Sequence, residues 1–170
     1  MASLIEELIN VLEDTTGCYE SLLTVANNKK EVIIKGNVPS LQTLTDEEQG
    51  VAGRLLRLEK KRQEIIDDVC LVTNKDSKTM TITSLIEMLK GQDIEQARLR
   101  SVSHKMIEIV EEVKKVNDIN RILIKESLDY VSFTMNALQS ATTMPQGNAY
   151  QKKGNLYDSG SGKNFFDAKQ

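Results

Sequence analysis

Residues 114–131 read KKVNDINRILIKESLDYV. Apolar residues recur here at every third or fourth position, the period of one helix face, yet Asn117 and Asn120 stand where that stripe should be apolar. Followed backwards, the stripe runs Leu99, Val102, Met106, Ile109, Val113, Val116, Asn120 and Leu123. No Gly or Pro interrupts the chain from Asp93 to about Gln139. The pattern predicts a single long helix of about 70 Å at 1.5 Å per residue.

Earlier in the chain the same period appears twice. Ser3 and Glu6 have the spacing of a capping box, and Leu8, Leu12, Thr15, Tyr19, Leu22, Ala26 and Ile33 follow in steps of three, four and seven. That predicts a first helix to about Lys35, roughly 50 Å long, with Gly36 as its left-handed stop. Asn37 is suited to cap the next helix and Pro39 to stand in its first turn. The second seam is Leu41, Thr45, Glu48, Val51, Leu55, Leu58, Arg62, Ile65, Val69 and Val72. A turn this short makes the two helices antiparallel. Thr45 with Glu48 has the spacing of a second capping box, which leaves both a straight helix and one kinked near Leu44 open, and Gly50 and Gly53 loosen the helix by about 1 kcal/mol each relative to Ala. After the polar loop NKDSKTM, the segment ITSLIEMLK forms a short helix capped by Thr81 or Thr83 and closed by Gly91.

The fold class is therefore all-α: an antiparallel hairpin of long helices, a short helix and a third long helix, filling residues 1–140. The third helix is longer than the hairpin beside it by about 20 Å. Along that length Ile124, Leu128, Val131, Met135 and Leu138 form an apolar stripe that the hairpin does not reach. Such a stripe requires a partner helix, a cover from the short helix at residues 82–90, or a second copy of the chain. From Ala141 the composition changes to Gly, Ser, Asn and Lys, the signature of a flexible tail. It carries four of the seven aromatic residues and the paired segments NLYD and NFFD, as docking segments do.

Composition excludes several functions. A net charge of −3 provides no basic field for nucleic acid or acidic lipid. It divides into +2 for residues 141–170 and −5 for the rest. No run is apolar and long enough to span a bilayer, and MASLIEELI lacks the basic start of a signal peptide, so a cytoplasmic protein is expected. Cys18 and Cys70, far apart and without a CxxC pair, suit reduced thiols. No glycine-rich phosphate loop, catalytic constellation or metal-ligand spacing appears, so catalytic residues, metal and cofactors are expected to be absent. The single histidine, His104 in SVSHK, lacks the flanking pattern of a phosphotransfer bundle.

Two readings of Asn117 and Asn120 stand at this point. They enforce helix register at a cost in stability, or they face a cleft that a partner enters. The segment NDINRILIKESLDYVSFTMNAL resembles the C-terminal helix of the FlgN-type flagellar export chaperones, in which two asparagines three apart precede a leucine-rich run. LTDEEQGVAGRLLRLEKKRQEII is similar to that family's second helix, and the likeness covers residues 3–140. The resemblance implies a cytoplasmic chaperone of flagellar type III secretion. Such a protein binds the C-terminal regions of the hook-filament junction proteins FlgK and FlgL and delivers them to the export apparatus. It also implies partner binding through Asn117, Asn120, Ile124, Leu128, Val131, Met135 and Leu138. Gly50 and Gly53 depart from the pattern of a straight second helix. A homo-oligomeric coiled-coil scaffold without a client is the alternative, and the oligomeric state is open.

Overall fold

The computed structural model of the chain describes residues 2–76 and 79–143. The tail with its NLYD and NFFD segments lies outside them. The described residues form four helices: α1 (Ala2–Ile34), α2 (Val38–Thr73), α3 (Ile82–Met88) and α4 (Asp93–Thr143). The chain divides into two compact units, Met1–Val131 and Ser132–Gln170.

The turns form where backbone chemistry requires them. Gly36 adopts φ +65°, a left-handed conformation that only glycine takes without strain. Asn37 then caps α2, its Oδ1 accepting from the Ser40 amide at 3.1 Å, with Pro39 in the first turn. At the far end Asn74 takes the left-handed position and its amide donates to the carbonyls of Cys70 and Leu71. Thr81, not Thr83, caps α3 through a reciprocal box with Ser84, and Gly91 with φ +98° opens the turn into α4.

One local expectation fails and one open question is answered. α1 already begins at Ala2, so Ser3 lies within its first turn. Glu6 accepts from Arg98 Nη1 with both carboxylate oxygens, at 2.9 and 2.8 Å. No break occurs near Leu44: α2 is helical throughout Val38–Thr73. Thr45 donates its hydroxyl back to Leu41 O at 2.8 Å, while Glu48 pairs with Lys29 Nζ of α1 at 2.9 Å. A charged residue on the seam is thus explained by its partner. α4 extends to Thr143, past the expected end at Gln139.

The core of the first unit gathers Ile5, Leu8, Ile9, Val11 and Leu12 of α1 with Ile65, Ile66, Val69 and Cys70 of α2. Leu85 and Leu89 from the α3 segment and Leu99 and Val102 of α4 complete it. Fully burying one such Leu or Ile contributes about 1.5–3 kcal/mol. The α2 seam ends with Val69 and Cys70, since Val72 is exposed. Thr15 and Thr16 are buried on α1, each hydroxyl donating to the carbonyl four residues back at 2.7 Å. Ion pairs fix the helix directions. Lys29–Glu48 and Lys61–Glu7 run α2 antiparallel to α1. Arg98 to Glu6 and Glu13, then Lys105 to Glu20, run α4 parallel to α1.

Candidate partner-binding surface

α4 is helical because nothing in it breaks a helix, and its two halves differ in what covers them. Through Asn120 the stripe is buried or half-buried: Leu99, Val102, Met106, Ile109, Val113, Val116 and Asn120 all turn inward. Beyond Asn120 the apolar positions open to solvent. Ile124 is 37%, Leu128 61% and Val131 55% exposed. In the second unit Met135 is 49% and Leu138 59% exposed. Steps of four and three place Ile124, Leu128 and Val131 on one face of the helix in the first unit, and Met135 and Leu138 stand three apart in the second.

Burial separates the two asparagines. Asn120 belongs to the internal seam: it is buried, and its Nδ2 donates to the Ala26 carbonyl of α1 at 2.7 Å. Its Oδ1 is buried and has no partner among the described residues. Asn117 is exposed. It precedes Ile124 and Val131 by successive heptads, so it stands one turn before Asn120 and in phase with the open stripe.

Element lengths leave Val131 beyond the end of α1, whereas Ile124 and Leu128 are exposed although level with its last turns. α1 has 33 residues against 51 in α4, and the two start level, with Arg98 on Glu6. α1 stops at Ile34, and as many residues beyond Asn120 as Ile34 lies beyond Ala26 bring α4 only to Leu128. The short-helix segment does not cover the stripe, because Leu85 and Leu89 are packed among Ile5, Val69 and Leu99.

Further exposed apolar side chains lie on the same half of α4 and were not singled out from the sequence: Ile119, Ile122 and Phe133. At 100° per residue Ile119 and Ile122 fall on the far side of α4 from Ile124 and Leu128, with half-buried Leu123 between. Their spacing from one another was the available signal, hidden because the stripe at Leu128 and Val131 has the more regular period. The polar edge beyond the stripe carries Arg121, paired with Asp118 at 3.0 Å, and Lys125.

Elsewhere the described residues hold no group of His, Cys, Asp and Glu able to bind a metal. His104 is exposed on α4 with Nδ1 3.4 Å from Glu108. No described helix is long and apolar enough to cross a membrane.

The family model described as FlgN protein matches residues 1–158. The protein named uncharacterized protein YvyG of Bacillus subtilis (strain 168) is 25% identical over 134 residues, covering 77% of this chain and 78% of its own. No solved structure matches the chain.

Proposed function

This chain belongs to the FlgN protein family of flagellar export chaperones, and from that premise we propose that it captures the C-terminal segments of the hook-filament junction proteins FlgK and FlgL. The family is not an enzyme family, and its work is binding. In the proposed role the protein acts in the cytoplasm, keeps these clients from associating early and passes them to the export apparatus.

The observation that carries the proposal is the exposure of Ile124, Leu128 and Val131 on the α4 face that is buried at Val113 and Asn120, with Met135 and Leu138 exposed in the second unit. An amphipathic client helix laid on it extends the bundle by one more partner. Each Leu or Ile it buries contributes about 1.5–3 kcal/mol, and ordering a disordered client terminus offsets about 2–5 kcal/mol or more of the total. The balance favours reversible capture, as delivery requires. Met135 adapts to more than one client side chain. Asn117, exposed at the head of the stripe, offers its amide to the client backbone, while Asn120 sets the register of α4 on α1.

The test mixes the protein with C-terminal peptides of FlgK and FlgL and follows mass by light scattering. A complex should form, and Val131→Glu with Met135→Glu should abolish it while far-UV circular dichroism and Tm stay close to those of the parent. A stable self-assembled oligomer indifferent to both peptides would instead favour the scaffold reading.

A further inference from the structure

We infer that the groove between α1 and α2, away from the client stripe, is a docking site for an acidic peptide segment of a second protein. Its walls are Asp14, Gly17, Cys18 and Ser21 on α1 and Arg54, Arg57, Leu58 and Lys61 on α2, enclosing about 470 Å³. Arg62, Arg98 and Arg121 each hold a carboxylate of this chain. Arg54 and Arg57 hold none among the described residues, although they lie one helical turn apart and line the same groove. Two free guanidinium forks at that spacing suit two carboxylates carried one turn apart on a partner helix. Opposite them Gly17 has no side chain, and a Cβ built there would meet nothing within 4 Å, so the groove admits a backbone.

A peptide fits better than a nucleic acid. Asp14 shares the groove and Glu7, paired with Lys61 at 3.1 Å, lies at its end. A continuous phosphate backbone would run against these carboxylates and against the net charge of −3. A peptide with spaced carboxylates avoids them.

The experiment titrates the full chain into a fluorescein-labelled peptide of alternating glutamate and serine at low ionic strength and reads anisotropy. Saturable binding is expected. Arg54→Glu with Arg57→Glu should weaken it about tenfold, whereas Lys114→Glu with Lys115→Glu, equal in charge change on exposed sites of α4, should leave it within about twofold. Bound peptide should also slow alkylation of Cys18, which lines the groove. The FlgK and FlgL peptides should bind the Arg54/Arg57 variant as they bind the parent. Absence of saturable binding, equal losses in both double variants, or preference for an oligothymidine or anionic vesicles over the peptide would overturn the assignment.

Discussion

Asn120 illustrates how one buried amide trades stability for register. It makes one hydrogen bond, to Ala26 O at 2.7 Å, and leaves Oδ1 buried without a partner among the described residues. An unmet buried acceptor costs about 1–3 kcal/mol, comparable to or more than a single neutral hydrogen bond returns. Asn120→Leu is therefore expected to raise the unfolding free energy by about 1 kcal/mol in urea titrations, and a lower midpoint would show that the bond to Ala26 outweighs the orphaned oxygen. Asn120→Asp places a carboxylate against a carbonyl, with an expected loss of about 3 kcal/mol at neutral pH. Because burial raises the folded pKa of that acid above its unfolded value, the penalty is complete above the folded pKa and vanishes below the unfolded one. The cysteines differ in the same physical way. Cys70 is buried, and its thiol is pushed up by that burial and then by Asp67 and Asp76, whereas Cys18 is half-exposed. In the native protein an alkylating reagent followed by mass spectrometry should modify Cys18 first and Cys70 only on unfolding.

At the scale of helices, three glycines separate turn chemistry from helix propensity. Gly36 holds φ +65° in the α1–α2 turn, so Gly36→Ala should destabilise by about 1 kcal/mol. Gly50 and Gly53 lie inside α2 and a Cβ there meets nothing, so Gly50→Ala and Gly53→Ala should each stabilise by up to about 1 kcal/mol. Thermal melts of the three variants check the opposite signs. The same elements show what was legible in the sequence. The seams of α1, α2 and α4 could be traced because spacing alone reports helical phase, even through Glu48, whose partner Lys29 was not evident. The Ser3–Glu6 box was misread because Arg98, remote in sequence, claims Glu6. Asn117 and Asn120 looked alike because they share one side of the helix, and spacing does not show that one is packed and the other exposed. The parallel course of α4 beside α1 was likewise set by the pairs Arg98–Glu6 and Lys105–Glu20, which no local pattern contains.

For the molecule as a whole, the core of the first unit is concentrated where α1 begins, α2 ends and α4 begins, among Ile5, Leu8, Leu12, Val69, Leu85 and Leu99. Along α4 the cover thins past Val113 and ends at Asn120, so stability should be graded along that one helix. Hydrogen exchange read by mass spectrometry should find the amides around Leu99–Val113 slow, opening only with global unfolding, and those of Ile124–Val131 faster by orders of magnitude. Adding a FlgK or FlgL C-terminal peptide should slow the second group and extend protection through Met135 and Leu138, while leaving the first nearly unchanged, because a ligand protects what it buries. If protection instead rose uniformly, client binding would be acting on the whole bundle and not on its open stripe. If Ile124–Val131 exchanged as slowly as Leu99–Val113 before any peptide was added, those residues would already be covered in solution, and a second copy of the chain would be the occupant.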